Sequence, residues 1–264
     1  MKARIRYLAY LSDNPDELAG FYARHLDLDE LGRSPAGDVS LSDGFYNITF
    51  LKRRAELHEP HNEIGLHHIG LEVDDVGEAV RRYRAHNDKW PVCDEPGGLA
   101  FGEKRVYDPE GNPITLSSGS FGVRERTNRV PRLRHIAFNA LWPEGILNFY
   151  MLVFGFRELS DSLKRREQGR GNRFGGDGWT NLAIHPFYSD VEGHEPRYGV
   201  NHVGFLVGDL QQKLDAFARE VPVAKRPDWR PYAEFRLRDK EGNGFDLSQT
   251  KGWEVDLNKW ERAA

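Results

Sequence analysis

Little in this sequence points to an oxidising compartment, a membrane or a nucleic acid. Its single cysteine, Cys93, cannot form an internal disulfide. No apolar run approaches the length needed to cross a bilayer, and the first residues lack the apolar stretch of a signal peptide. The net charge of −4 and the absence of a segment dominated by Lys and Arg argue against nucleic acid as a partner. We therefore expect a soluble cytoplasmic protein with no membrane or nucleic-acid partner.

The chain contains enough apolar material for a core, and an internal repeat divides it into two halves. Hydrophobic residues make up 39% of the 264 residues and charged residues 30%, a composition typical of folded proteins. Three ordered matches define the repeat: Arg6–Tyr10 with Arg134–Phe138 at an offset of 128, His68–Leu71 with His202–Phe205 at 134, and Asp108–Ser117 with Asp239–Ser248 at 131. The change from 128 to 134 requires six inserted residues in the second half.

Each half divides again into a strand, a helix and several further strands. In the first half, β-like runs at Ile5–Leu11 and His68–Val73 precede segments with helix-start signals. In the second half, Pro143–Val153 and Leu210–Glu220 are the helix-like segments. We therefore predict an α+β fold of four βαβββ modules paired into two homologous domains.

The repeat also sets the expected domain limits. The N-terminal domain covers residues 1–118 and the C-terminal domain residues 132–251, and a charged Gly/Ser-containing stretch links them. Residues 252–264 lie outside the repeat and are interpreted as a C-terminal extension.

Three strands of the second half each place one polar side chain opposite an apolar face. Because side chains alternate along a strand, His135, His202 and Asp246 all lie opposite their large apolar neighbours. Two imidazoles and a carboxylate form the open facial set that suits Fe(II), Mn(II) or Zn(II). The first half has Tyr7 and Thr115 in place of His135 and Asp246, which are poor ligands for these metals, so we predict a single metal site in the C-terminal domain.

The Arg-His-Ile-Ala-Phe and Asn-His-Val-Gly-Phe strands and the two Glu-Gly-Asn turns resemble those of the vicinal oxygen chelate superfamily. This superfamily includes glyoxalase I, bleomycin-resistance proteins, methylmalonyl-CoA epimerase and the extradiol dioxygenases. The resemblance covers about residues 4–250 and implies two glyoxalase-like domains, each a cup-shaped mixed sheet with outer helices. Two tandem halves with one metal site are most similar to the extradiol dioxygenases. Their His, His and Glu ligand positions carry over to His135, His202 and Asp246, with Asp in place of the usual Glu.

The resemblance implies chemistry on two adjacent substrate oxygens that chelate one divalent ion. With Fe(II), the favoured metal, a small catechol-like aromatic would undergo extradiol-type ring opening. With Mn(II), Zn(II) or Ni(II), the expected reaction is proton transfer by an isomerase, epimerase or lyase. The extradiol enzymes place a further His and a Tyr beside the metal, where our alignment has residues near Thr180 and Arg236. A homo-oligomer is also expected.

Candidate acid–base and anion-binding residues lie near these positions. The possible acid–base residues are His185, Tyr198, Tyr232 and Glu234, and Arg236 could hold an anionic oxygen. A non-enzymatic alternative is a metal-free protein that sequesters an aromatic ligand, as bleomycin-resistance proteins do. Four aromatic residues could line such a pocket: Trp179, Phe187, Trp229 and Tyr232.

Overall fold

The computed structural model describes residues 1–54, 63–95, 101–187 and 198–263. Its N-terminal half contains two successive modules. The first consists of β1 (Ala3–Ser12), α1 (Pro15–Leu26), β2 (Asp29–Arg33), β3 (Val39–Ser42) and β4 (Asn47–Lys52), and the second of β5 (Gly65–Val73), α2 (Val76–His86), β6 (Cys93–Asp94), β7 (Lys104–Tyr107) and β8 (Pro113–Ser117).

The C-terminal half repeats this order with one additional helix. Its elements are β9 (Arg132–Ala140), α3 (Pro143–Phe154), β10 (Arg157–Glu158), α4 (Ser160–Glu167), β11 (Arg173–Gly176) and β12 (Asn181–Pro186), then β13 (Gly199–Leu206), α5 (Leu210–Phe217), β14 (Val223–Lys225), β15 (Phe235–Arg238) and β16 (Gly244–Ser248). A terminal hairpin follows, formed by β17 (Trp253–Asp256) and β18 (Lys259–Glu261).

The two halves form two eight-stranded mixed sheets with equivalent strand orders. These orders are β2-β3-β4-β1-β5-β8-β7-β6 and β10-β11-β12-β9-β13-β16-β15-β14. In each sheet the first strands of the two modules pair antiparallel at the centre, and each of them pairs parallel with the last strand of its own module. The predicted α+β fold of four βαβββ modules in two glyoxalase-like domains is confirmed.

Strand parity divides the core as the sequence predicts. Ile136, Val203 and Phe245 belong to a large cluster that also contains the buried helix residues of both halves. Ala137, on the other face of β9, belongs to a separate cluster with Trp253. We call this second face, which points away from helices α1, α2, α3 and α5, the inner face of each sheet.

Helices α1, α2, α3 and α5 pack between the two sheets, and aromatic contacts among their residues join the halves. Their N-terminal caps are those expected from the sequence, since Asn14 accepts a hydrogen bond from the Glu17 amide and Asp75 from the Glu78 amide. On α1, Phe21 contacts Phe217 of α5 at a ring-centroid distance of 5.6 Å. Among the described residues, no helix combines the length and apolar composition needed to span a membrane.

Two local differences from the sequence prediction affect the site. Helix α5 ends at Phe217 rather than Glu220, because the next residues form a turn that closes with backbone bonds to Phe217. The six-residue insertion of the second half falls between β10 and β11, where the additional helix α4 lies. The insertion therefore adds a wall that the N-terminal domain lacks.

An aromatic residue from outside the repeat covers the inner face of each sheet. Phe121, in the interdomain linker, stacks on Tyr7 at 5.1 Å, and Trp253, in the C-terminal hairpin, stacks on His135 at 5.4 Å. A Cβ at Gly70 would lie 2.8 Å from the Phe121 ring, and one at Gly204 would lie 2.4 Å from the Trp253 ring. The glycines that match at offset 134 therefore allow the close approach of these rings.

Candidate metal centre

Three neighbouring strands of the C-terminal sheet bring the predicted ligands together. His135 lies on β9, His202 on β13 and Asp246 on β16, and they are 3%, 5% and 1% exposed. Their candidate ligand atoms all lie within 4.8 Å of one another. The Nε2 atoms of the two imidazoles are 3.2 Å apart, and His202 Nε2 is 3.7 Å from Asp246 Oδ2.

Two asparagines fix the orientation of the imidazoles. Asn181 Oδ1 lies 2.8 Å from His135 Nδ1, and its amide nitrogen donates to the Glu254 carbonyl, which leaves the oxygen to face the histidine. Asn201 Oδ1 lies 2.8 Å from His202 Nδ1. Since an amide oxygen can only accept, both Nδ1 atoms carry the proton and both Nε2 atoms keep a lone pair. Two lone pairs 3.2 Å apart are an arrangement that a bound cation stabilises.

The protonation states match those that a divalent ion requires. Burial lowers the pKa of His135 to about 4 and that of His202 well below its usual range. Burial alone would raise the pKa of Asp246, but the nearby Arg236 and Arg226 outweigh it and hold this pKa below its usual range. At neutral pH the set therefore consists of two neutral imidazoles and one carboxylate, the forms that bind metals.

Arg236 and Arg226 neutralise the Asp246 carboxylate. Arg236 donates from Nε to Asp246 Oδ1 at 2.6 Å and from Nη2 to Oδ2 at 2.9 Å, a two-pronged contact, and Arg226 donates to Oδ2 at 2.5 Å. Arg236 Nη2 also lies 2.8 Å from His202 Nε2. Because Nε2 has one lone pair, an ion that binds His202 must displace this contact. The donor set fits a divalent ion that competes with the Arg236 guanidinium.

His185, on β12, lies beside the predicted ligands. Its ring is nearly parallel to that of His202, at 11° and a centroid distance of 6.2 Å. The Asn172 amide nitrogen donates to His185 Nδ1, so the neutral ring carries its proton on Nε2, the opposite of the two ligand histidines. Burial lowers the pKa of His185 to about 3. The neutral ring can therefore donate a hydrogen bond from Nε2.

Tyr232 forms part of the cavity wall, and its hydroxyl is already engaged. The hydroxyl donates to Asp161 at 2.9 Å, and the ring stacks on Trp260 of the C-terminal hairpin at 5.4 Å. Burial and Asp161 raise its pKa well above the usual range. Tyr232 therefore keeps its proton and shapes the cavity.

The structure places Glu234 and Tyr198 outside the residues that line this cavity. Glu234 accepts hydrogen bonds from Ser248 Oγ and from the Thr250 amide and hydroxyl, and so it fixes the turn after β16. Glu103, its counterpart in the N-terminal domain, binds the Ser118 amide and hydroxyl in the same way. A shared role in both domains indicates that Glu234 is structural. Tyr198 stacks on Phe187 at 3.9 Å.

The remaining residues that the sequence analysis named near the site lie in different parts of the structure. Thr180 is hydrogen-bonded to Tyr46 of the N-terminal domain at 2.6 Å, and Trp179 stacks on Phe45 at 4.9 Å, so both belong to the contact between the domains. Trp229 lines the cavity, whereas Phe187 does not.

A cavity of about 570 Å³ opens onto the cluster. Its lining includes Phe174, Tyr232 and Trp229 together with the three candidate ligands and His185. It also contains six cationic side chains and two carboxylates: Lys164, Arg165, Arg170, Arg226, Arg230 and Arg236, with Asp161 and Asp246. The cavity is therefore both aromatic and cationic.

Sequence reasoning missed several contributors, which include Asn172, Asn181, Asn201, Arg226 and Trp253. Asn181 matches Asn47 in the repeat, and this match was a usable signal. Arg226 and Trp253 reach the site from β14's C-terminal end and from the terminal hairpin, and no local pattern indicated either contact.

The N-terminal sheet carries no comparable cluster among the described residues. Tyr7 and Thr115 occupy the positions of His135 and Asp246, and Phe121 covers the face. Burial lowers the pKa of His68 well below its usual range, and Arg105 Nη2 lies 3.4 Å from His68 Nε2.

Comparison with known proteins agrees with the fold of two repeated domains described above. The family described as the Glyoxalase/Bleomycin resistance protein/Dioxygenase superfamily matches residues 4–116 and 132–247. No curated protein matches the chain significantly.

Solved structures at low sequence identity share the fold. The 2,3-dioxygenase LapB from Pseudomonas sp. KL28 aligns with a TM-score of 0.66 and 18% identity, covering 92% of this chain and 91% of that one. The Mn(II)-bound glyoxalase from Novosphingobium aromaticivorans aligns with a TM-score of 0.69 and 18% identity, covering 98% and 85%. The 2,2',3-trihydroxybiphenyl 1,2-dioxygenase from Sphingomonas wittichii aligns with a TM-score of 0.63 and 15% identity, covering 100% and 97%.

Proposed function

The chain belongs to the Glyoxalase/Bleomycin resistance protein/Dioxygenase superfamily, and we propose that it is an extradiol-type dioxygenase that opens the ring of a small catechol-like aromatic with one bound Fe(II). The observation that carries the proposal is the His135, His202 and Asp246 cluster, which lies in a single aromatic-lined cavity with His185 beside it. LapB and the trihydroxybiphenyl dioxygenase share the fold over 91% and 97% of their own chains, which is compatible with the proposal, and the Mn(II)-bound glyoxalase shares it as well.

The three ligands would hold the ion and leave positions for the two substrate oxygens. A bound Fe(II) would act as a Lewis acid that lowers the pKa of both substrate hydroxyls, and it would supply electrons to O2. Asn181 keeps His135 Nε2 unprotonated and oriented, and Asn201 does the same for His202. Because both Nε2 atoms are already unprotonated, neither histidine would have to lose a proton before it binds the ion.

His185 would supply the proton-transfer function. Its Nε2–H is fixed by the Asn172 contact at Nδ1, so it can donate to an oxygen that gains negative charge. Arg236 would hold the Asp246 carboxylate in place and offer a further donor to an anionic oxygen. Phe174, Tyr232 and Trp229 would enclose the aromatic ring.

The test is oxygen uptake by protein reconstituted anaerobically with Fe(II) and given a panel of substituted catechols. We expect stoichiometric oxygen consumption and a yellow ring-opened product. His185→Gln should lower kcat by roughly a hundredfold while leaving the iron content unchanged, because it removes a proton donor and no ligand. His68→Ala, the control, should behave as the wild type.

Two other outcomes would reassign the function. If no catechol consumes oxygen and protein loaded with Mn(II) or Zn(II) exchanges an α-proton of a hydroxy-ketone or thioester, the chain is an isomerase or lyase. If an aromatic ligand binds the metal-free protein and chelators have no effect, the chain is a sequestering protein.

A further inference from the structure

The cavity is positively charged within a chain whose net charge is negative. Six of its lining residues are Lys or Arg and two are acidic, whereas the whole chain has 37 Lys and Arg against 41 Asp and Glu. A cationic cavity in an acidic protein concentrates anionic ligands.

The two carboxylates of the cavity already have several partners each. Asp161 accepts from the Tyr232 hydroxyl and pairs with Arg165 at 2.8 Å. Asp246 accepts from Arg226 and Arg236, and it is also a candidate metal ligand. A bound divalent ion would add further positive charge. The positive charge of the cavity therefore exceeds its negative charge and favours a ligand with an anionic group.

Part of this charge comes from the insertion that distinguishes the two domains. Lys164 and Arg165 lie on α4, and Arg170 lies in the connection from α4 to β11. The equivalent connection of the N-terminal domain, residues 34–38, contains no cationic residue. The inserted segment of the C-terminal domain thus contributes three of the six cationic residues that line the cavity.

Lys164 and Arg170 are the two cations best placed to meet a ligand at the cavity mouth. Both are exposed and line the cavity. Among the described residues neither has an ion-pair partner within 4 Å, whereas their neighbours Arg165, Arg166 and Arg173 each pair with a carboxylate.

We infer that the substrate carries a carboxylate in addition to its two chelating oxygens, and that Lys164 and Arg170 bind this carboxylate. The inference rests on the proposed function only for the two chelating oxygens. The preference for an anionic ligand can be measured without a bound metal and without turnover. The same cavity is lined by Phe174, Tyr232 and Trp229, whose rings offer apolar surface against which a planar ring can pack. The substrate class is therefore an aromatic acid with a vicinal diol.

The test compares ligands that differ only in the anionic group, on chelator-treated protein. Isothermal titration with 4-hydroxybenzoate and with phenol should show at least about tenfold tighter binding of the carboxylate, with a strong dependence on salt. Lys164→Gln/Arg170→Gln should reduce this preference to less than about threefold. The matched control, Lys89→Gln/Arg219→Gln, removes two exposed cations outside the cavity and should retain the preference.

The outcomes separate this inference from the proposed function. Equal binding of phenol and 4-hydroxybenzoate, or an unchanged preference in the Lys164→Gln/Arg170→Gln variant, would overturn it even if the protein oxygenates catechol. Tighter binding of phenyl phosphate than of 4-hydroxybenzoate would replace the carboxylate with a phosphate. A retained carboxylate preference in a protein that consumes no oxygen would refute only the dioxygenase proposal.

Discussion

The two domains share one fold, but the inner face of one sheet is packed with side chains, whereas that of the other carries the candidate metal site. Each face has a histidine on the first strand of its second module and an arginine two strands away that contacts it, at 3.4 Å for His68 and Arg105 and at 2.8 Å for His202 and Arg236. The N-terminal face fills the remaining space with apolar side chains: Tyr7, Ala9, Leu11, Leu51 and Phe121. The C-terminal face leaves a cavity there.

The position of the negative charge distinguishes the two faces. Arg105 pairs with Glu95, beyond the end of β6, whereas Arg236 pairs with Asp246 on the adjacent strand β16. The position equivalent to Glu95 holds Arg226, which also pairs with Asp246. Asp246 lies on β16, which pairs with the strand that carries His202, and its carboxylate is within 4.8 Å of the candidate ligand atoms of both histidines. This comparison indicates that the arginine–histidine contact belongs to the fold and that His135 and Asp246, which replace Tyr7 and Thr115, complete the candidate metal site.

Removing one histidine from each domain tests the comparison most strongly. We expect His202→Ala to weaken binding of one divalent ion by roughly a thousandfold, because each of three ligands contributes about a third of the binding free energy. His68→Ala should leave the metal content unchanged. Metal analysis after dialysis against limiting Fe(II) or Zn(II) measures both, and equal metal content in the two variants would refute the asymmetric assignment.

The matched pair Asp246→Ala and Thr115→Ala tests the buried charge. Asp246→Ala leaves Arg226 and Arg236 in a buried site without their shared carboxylate, so we expect the free energy of unfolding to fall by about 3–5 kcal/mol in the presence of chelator. Thr115→Ala should cost less than about 1 kcal/mol, since the Thr115 hydroxyl is buried without a hydrogen-bond partner among the described residues. Urea unfolding measures both values, and similar losses would show that the arginine pairs add little stability.

Asn47 and Asn181 occupy matching positions in the repeat. Comparing variants of the two distinguishes an effect on ligand orientation from an effect on packing. Asn47 and Asn181 each donate to the backbone of the covering segment, at Phe121 and at Glu254. Only Asn181 also accepts from a ligand histidine. Asn181→Ala should therefore weaken metal binding by about 10–100-fold, and Asn47→Ala should not change it. If both variants bind metal as the wild type does, Asn181 has only the structural role of Asn47.

The smallest expected effect is on the pH dependence of stability, to which one buried histidine in each domain should contribute in the same direction. His68 and His202 stay neutral in the folded protein because burial lowers their pKa, whereas in the unfolded chain each takes up a proton below about pH 6.5. The unfolded state then binds more protons, so stability falls as the pH drops, by up to about 1.4 kcal/mol per pH unit for each histidine. The lowered pKa of Asp246 acts in the same direction below about pH 4.

Urea unfolding in chelator between about pH 7.5 and about pH 5.5 measures this dependence. His68→Gln should reduce the slope by the share of one histidine. An unchanged slope in that variant would mean that His68 is protonated in the folded protein.

The sequence alone determined the repeat, the modules and the set His135, His202 and Asp246. These follow from local rules, because alternation along a strand fixes which side chains share a face, whatever the strand pairs with. The same rule identified Tyr7 and Thr115 as the N-terminal counterparts.

Only the tertiary structure decided what surrounds that set. A bulge offsets the pairing of β9 and β13 between Val200 and His202, and the residue between them, Asn201, orients His202. The N-terminal sheet has the same irregularity at His67, whose Nδ1 lies 2.6 Å from His68 Nδ1. Register of this kind depends on pairing across the sheet and cannot be inferred from one strand.

The same reason explains the different roles of the acid–base candidates. His185, Tyr198, Tyr232 and Glu234 are equivalent as residue types, but the fold places the first in the cavity beside His202 and binds the last into a turn. Part of the cavity wall comes from α4, which begins 25 residues after His135, the nearest candidate ligand. The terminal hairpin, outside the repeat, packs on His135 and Tyr232. Contacts at that separation form only when the sheets and helices pack, because no local sequence pattern encodes them.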